Sequence, residues 1–175
     1  MIKEKLNKVI REIPDFPKPG INFKDITPIL HQPELCLEIV KELKKQFKEE
    51  KIDVIVGVES RGFLFGMMLA QEFNVPFVTV RKKGKLPYET VSYKYDLEYG
   101  SAEIEMHTDA IRPGQNVMVH DDLLATGGTA IAAAELIEIQ GGKVGGFSFI
   151  IELEFLKGAK RLEKYSNKIF NLVSY

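Results

Sequence analysis

The sequence predicts an α/β fold, a central parallel sheet flanked by helices with one inserted antiparallel hairpin, and three observations carry that expectation. First, short runs rich in β-branched residues recur at 53–58 (DVIVGV), 76–80 (PFVTV), 116–120 (NVMVH) and 147–151 (FSFII). They are continuous rather than alternating, the texture of a strand covered on both faces. Second, helical segments at 63–73 and 129–140 stand between these runs, so strand and helix alternate as in right-handed crossover units. Third, 81–107 breaks that rhythm. Val91, Tyr93, Tyr95 and Leu97 alternate with polar residues, Tyr99-Gly100 turns, and Ala102, Ile104 and Met106 alternate again, which reads as a hairpin.

The N-terminal elements follow from helical spacing. Ile2, Leu6, Val9, Ile10 and Ile13 share one face, and PDFPKPG then stops the helix, because proline lacks the N–H and clashes with the preceding turn. A second helix begins at Pro33, with Cys36, Ile39, Val40, Leu43 and Phe47 on its apolar face. No repeat and no low-complexity segment interrupts the chain, so one domain over 1–175 is expected.

Composition narrows the function. With 24 Lys and Arg against 25 Asp and Glu, the net charge of −1 provides no global field to gather nucleic acid or an anionic membrane. Any anion site must be local. Cys36 is the only cysteine, so no internal disulfide can form and a reducing compartment is the expectation; its place on an apolar helix face argues against a catalytic thiol. The N-terminus is amphipathic rather than a secretion signal, and no run approaches the roughly 18 apolar residues of a membrane span. A cytoplasmic protein is expected. His31, His107 and His120 lack the spacing of a zinc site, and structural roles are expected for them.

The most informative stretch is VMVHDDLLATGGTA, 117–130. A buried strand ends in adjacent carboxylates, Asp121 and Asp122, and Thr126-Gly127-Gly128-Thr129 opens a helix four residues on. Ligands of open α/β sheets bind at the carboxyl ends of strands, and a helix N-terminus presents N–H groups that attract phosphate. Carboxylates would repel that phosphate unless they hold sugar hydroxyls or a metal. A ligand with both a phosphate and a diol satisfies both halves of the loop. The bland alternative is a strand followed by a helix capped by Thr126 or Thr129, with solvated aspartates. Other nucleotide motifs fail: Gly57 to Gly62 has P-loop glycine spacing, but Phe63 and Leu64 stand where Lys and Ser or Thr are required, and no G-x-G-x-x-G follows a strand.

Strand, paired acids, spacing and TGGT together resemble the phosphoribosyl pyrophosphate (PRPP) signature of type I phosphoribosyltransferases. That resemblance implies that Ala125, Thr126, Gly127, Gly128 and Thr129 hold the 5′-phosphate, while Asp121 and Asp122 face the ribose hydroxyls and the charge around C1′. GVESRGFLFG (57–66) stands at another strand end and offers a second anion cradle. RKKGKLP (81–87) sets Arg81, Lys82, Lys83 and Lys85 around a glycine, either a solvated charge run or a mobile lid. In the family context, Glu59, Ser60, Arg61, Arg81, Lys82 and Lys85 are expected at pyrophosphate, with Arg61 also serving catalysis.

These segments, with IPDFPKPGINFKDI (13–26) and KYDLEYG (94–100), resemble adenine phosphoribosyltransferases in order over roughly 13–158. The resemblance implies an adenine-side hood at about 1–32, in which Ile21, Asn22, Phe23 and Lys24 cup the base, Phe23 stacking on the ring while backbone groups at Asn22 read its edge, with Leu123 also contacting it, and a hairpin and lid at about 81–107. The 6-oxopurine enzymes usually carry an acidic residue at the position of Ala125. Here the acid–base group is expected to be Glu98 instead. The resemblance further implies Mg2+ held mainly by PRPP, adenine and PRPP as substrates, AMP and pyrophosphate as products, and a homodimer. A 6-oxopurine enzyme and a non-catalytic PRPP-sensing regulator are the alternatives.

Overall fold

A computed structural model describes residues 1–96 and 100–175. Among these residues the main sheet has eight strands. Four central ones run parallel: β3 (Val54–Val58), β4 (Phe77–Lys82), β7 (Asn116–Leu124) and β8 (Lys143–Glu152). They stand in the order β8-β7-β3-β4, so the chain builds outward from β3 in one direction and then returns to build in the other. Reversals of this kind open a crevice above the strand ends, here between β3 and β7. The four apolar runs of the sequence are these four strands.

The hairpin is β5 (Thr90–Asp96) and β6 (Ser101–His107), and it is not a separate appendage. Its second strand pairs antiparallel with β4 through Arg81↔Glu105 and Lys82↔Ile104, which makes the sheet mixed and places β5 at one edge. At the other end, β9 (Ile169–Phe170) and β10 (Val173–Ser174) each run parallel to β8. These two-residue strands are too short for a sequence pattern to reveal.

Helices cover both faces because both faces are apolar. One core joins α1 (Ile2–Val9), α2 (Pro33–Gln46) and α3 (Gly62–Phe73) to Ile55, Met118 and Ile150, with Phe65 and Leu69 fully buried. The other packs α4 (Gly128–Ile139) on Val54, Val56, Val117, Val119, Phe147 and Phe149. Its alanines at 132, 133 and 134 are wholly buried and let the helix lie close to the strands. Helix α5 (Gly158–Leu162) contributes Leu162 to this side. Cys36 sits buried in α2, its thiol donating to the Ile29 carbonyl, and burial raises its pKa, so it is unsuited to nucleophilic work. No helix among the described residues is long and apolar enough to cross a membrane.

Between α1 and α2 the chain adds a small antiparallel ribbon, β1 (Arg11–Ile13) with β2 (Phe23–Asp25), then a 3-10 turn at Thr27–His31. The Asp25 carboxylate closes that turn by accepting from the Thr27 N–H and hydroxyl, both at 2.8 Å. The sequence reading carries the first helix through Ile13 and expects only a stiff loop after it, whereas the helix ends at Val9 and Arg11–Ile13 is extended, held by pairing with β2. The ribbon was invisible because each strand has three residues, fewer than a period-2 pattern needs.

Candidate active site

The switch point between β3 and β7 carries the cleft. A cavity of about 310 Å3 is lined by Glu59, Ser60, Arg61, Lys82, Asp121, Asp122 and Leu123. Beside it, a small recess of about 80 Å3 is formed by Asp121, Leu123 and the loop from Ala125 to Thr129. The structure therefore gathers the paired acids, the TGGT loop, Arg61 and part of the basic loop around one opening. A larger groove, about 660 Å3, lies between α1 and α2, but its charged side chains are surface lysines and glutamates such as Lys5 and Glu38, already paired with one another.

Strand β7 does not end before the aspartates. It continues through Leu124, with Asp121 opposite Phe149 and Leu123 opposite Ile151, so both carboxylates project from an ordered strand. This corrects the sequence reading: the neighbouring β8 supplies a ladder long enough to hold polar residues in extended conformation. Asp122 is buried and accepts from Arg61 Nε at 2.5 Å. Asp121 is partly exposed, and its Oδ1 accepts from the Asp122 N–H at 2.9 Å. Burial, and then the Asp122 charge beside it, raise the Asp121 pKa well above the usual carboxylate range.

Helix α3 begins immediately over this pair. A Cβ at Gly62 would lie 2.9 Å from Asp121 Oδ1 and 3.0 Å from the His120 carbonyl, so the absence of a side chain lets the helix start descend onto β7. Arg61, at the cap of α3, is thereby brought to Asp122. The Glu59–Ser60 peptide just before it is cis.

Helix α4 starts at Gly128, with Gly127 at its cap in the left-handed region, φ +81. Its cap is a glycine with no side chain to offer, and among the described residues no side-chain bond from Thr126 or Thr129 takes the capping role of the bland reading, which leaves the first N–H groups suited to an anion. Groups remote in sequence shape the loop: Arg161 donates to the Thr126 carbonyl at 2.7 Å, and the Tyr95 hydroxyl lies 3.2 Å from Thr129 Oγ1.

The basic loop is not a free charge run. Arg81 donates twice to the Glu59 carboxylate, at 3.2 and 3.3 Å, and the Lys82 N–H donates to it at 3.0 Å. Burial works against ionisation of Glu59, but these hydrogen bonds and the charges of Arg81 and Lys85 more than offset it and hold the carboxyl below its usual range. Lys83 pairs with Glu103 at 2.8 Å. The N–H groups of Lys85 and Leu86 both donate to buried Glu105. Of the loop's cations, Lys82 lines the cleft.

Phe23 stands next to the cleft residue Arg61, whose guanidinium is 5.2 Å from its ring centroid, and Phe16 packs edge-on against it at 5.2 Å. Asn22 and Lys24, expected at the base, spend their side chains elsewhere: both bond Glu12. Glu98, with Leu97 and Tyr99, lies outside the described residues. The sequence reading missed Glu12, Glu105, Tyr95 and Arg161, whose partners are distant along the chain and leave no local pattern.

A hard divalent cation seeks oxygen ligands, and Asp121 and Asp122 offer them at the cleft. Among the described residues no group of three or more His, Cys, Asp or Glu gathers as a metal site, so the donor set suits a cation whose other ligands come from a bound molecule.

Strands, switch point and TGGT loop together define a phosphoribosyl transferase domain, and the model of that domain family matches residues 25–173. Among its relatives, the adenine phosphoribosyltransferase of Cytophaga hutchinsonii is 49% identical over 175 residues, covering all of this chain and 97% of that one. The crystal structure of adenine phosphoribosyltransferase from Thermoanaerobacter pseudethanolicus superimposes with a TM-score of 0.95 at 49% identity, covering both chains completely. That of Saccharomyces cerevisiae, complexed with an imino-altritol bisphosphate and adenine, gives 0.89 at 43% identity over 98% of each chain. The chain belongs to the adenine phosphoribosyltransferase family.

Proposed function

We propose that this protein transfers the 5-phosphoribosyl group of PRPP to adenine, giving AMP and pyrophosphate, and so serves purine salvage. The observation that best supports the reading is the meeting of Asp121, Asp122 and Arg61 with the uncapped start of α4 at one switch-point cleft. The open N–H groups of 127–129 suit the 5′-phosphate, and Asp121 and Asp122 suit the ribose hydroxyls and the positive charge that builds at C1′. The C1′–O bond to pyrophosphate breaks as N9 of adenine bonds to C1′. Arg61 and Lys82 line the side where pyrophosphate would leave, and Phe23 stacks on the base. By family resemblance Glu98 takes the N7 proton, since Ala125 supplies no acid.

Asp121 and Asp122 stand where they would help PRPP oxygens to hold Mg2+, which would supply positive charge against the leaving group. Glu59 and Ser60 shape the pyrophosphate turn, with Glu59 acting through Arg81 and Lys82. We extend the proposal to one catalytic domain over 1–175, with the hood at about 1–32 and the hairpin and lid at about 81–107, and to a cytoplasmic homodimer. For these the support is family resemblance.

Radiolabelled adenine, hypoxanthine and guanine, each incubated with PRPP and Mg2+, test the reading. Conversion of adenine alone is expected. Preference for a 6-oxopurine, or PRPP binding with no transfer to any base, overturns it.

A further inference from the structure

Phe23 sits in a ribbon of three residue pairs, and a two-stranded ribbon of that size has little stability of its own. Its geometry must come from side-chain ties. Glu12 provides two. On β1 it stands directly opposite Lys24 of β2; its Oε1 lies 2.7 Å from Lys24 Nζ, and its Oε2 accepts from Asn22 Nδ2 at 2.9 Å. One carboxylate thus grips the residues on both sides of Phe23. Side chains alternate along a strand, so the grip is on the back of the segment and Phe23 is turned the other way, toward Arg61.

The Lys24 end resists replacement by water. Its side chain is only 6% exposed, and its ammonium also lies 3.9 Å from the centroid of the Tyr175 ring. Tyr175 is in turn bonded to Glu152 and Glu154 beside the main sheet and to Asn7 of α1. Without Glu12 this nearly buried cation would keep, among the described residues, the ring, a poor substitute for a carboxylate, and would be drawn toward solvent with the strand that carries it. Glu12 itself is about half exposed, so a bond to it in isolation would be weak; the consequence comes from what it leaves unpartnered.

We propose that Glu12 is a positioning residue for the base: by tying Asn22 and Lys24 together behind β2 it fixes the face that Phe23 presents to adenine, without touching adenine. This rests on the reading that Phe23 stacks on the base. Asn22 and Lys24 then serve adenine through this tie rather than through their own side-chain contacts.

The test compares wild type with Glu12→Ala, Glu12→Gln and Asn22→Ala. Glu12→Ala should raise the KM for adenine about three- to tenfold, while kcat and the KM for PRPP stay within about twofold. Glu12→Gln, which keeps an acceptor for Lys24, should recover most of the loss, and Asn22→Ala should show a smaller rise. Backbone hydrogen exchange at 22–24, measured without substrate, should be faster in Glu12→Ala than in wild type. An unchanged KM for adenine, or equal losses toward both substrates, overturns the proposal. A wild type that does not use adenine overturns the reading of function instead, and the exchange rates then decide alone whether Glu12 fixes the ribbon.

Discussion

Arg61 Nε lies 2.5 Å from Asp122 Oδ2, and this contact joins the turn after β3 to the middle of the site on β7. The carboxylate is buried while the guanidinium is about two-fifths exposed, so the pair is asymmetric: removing the cation strands an acid, whereas removing the acid frees a cation for a substrate anion. Beside it, Asp121 adds a second acid with no ion pair among those found in the described residues.

The first prediction follows from that arrangement. Asp121→Asn/Asp122→Asn should cut turnover by at least about 10²-fold, the scale of losing charge aimed at a transition state, with little change in fold. Circular dichroism and single-turnover rates check it. Near-normal turnover would remove both aspartates from the chemistry.

The second concerns pH. The Asp121 pKa is raised in the folded protein, first by burial and then by Asp122. The folded state therefore favours the protonated acid, and its contribution is fully present below the ordinary carboxylate range and lost as pH rises through the raised value. Asp121→Asn, which cannot ionise, should be more stable relative to wild type at pH 8 than at pH 4. Denaturant melts of both proteins at the two pH values test the sign.

The third uses His120, which is wholly buried, has Nδ1 2.9 Å from Ser148 Oγ, and leaves Nε2 with no hydrogen-bond partner among the described residues. Burial lowers its pKa to about 3. Here the neutral ring is the folded form, so stability is complete above the unfolded pKa of about 6.5 and declines as pH falls below it. Between pH 7.5 and 5 this group alone should cost roughly 2 kcal/mol. In His120→Asn that part of the acid loss should vanish; an identical pH slope in both proteins would show that His120 does not titrate this way.

The sequence made these residues unequally legible. The central strands and crossover helices were readable because an element buried on both faces writes its environment into every position, as at Val54 to Val58. Asp121 and Asp122 were readable for the opposite reason, since paired acids inside an apolar run have no structural excuse. Glu105 was not. It alternates with Ile104 and Met106 on β6, so the pattern assigns it to solvent, yet it is buried beneath a loop that the pattern cannot fold back onto it. The tie of Lys24 to Glu12 was hidden in the same way, because it crosses a ribbon too short to foresee.

The last prediction concerns Glu105. Its Oε1 accepts from the Lys85 and Leu86 N–H groups at 3.0 and 2.9 Å, and its Oε2 accepts from the Thr90 hydroxyl at 3.3 Å. Burial alone would raise its pKa, but backbone donors from Leu86, Gly84 and Lys85, with Thr90, lower it below the usual range, so it serves as an anion. The basic loop is therefore held at its near end by Glu59, through Arg81 and Lys82, and at its far end by Glu105. Glu105→Ala leaves the two N–H groups unsatisfied, each worth about 1–3 kcal/mol if they stay buried, and the loop will instead swing out to water. Limited proteolysis at 83–88 should then be several-fold faster than in wild type, and the KM for PRPP should rise while that for adenine changes little. Glu105→Gln retains the accepting oxygen and should behave nearly as wild type. If Glu105→Ala is cleaved no faster and binds PRPP equally well, the loop keeps its shape without this carboxylate, held by Glu59 and by the Lys83–Glu103 pair.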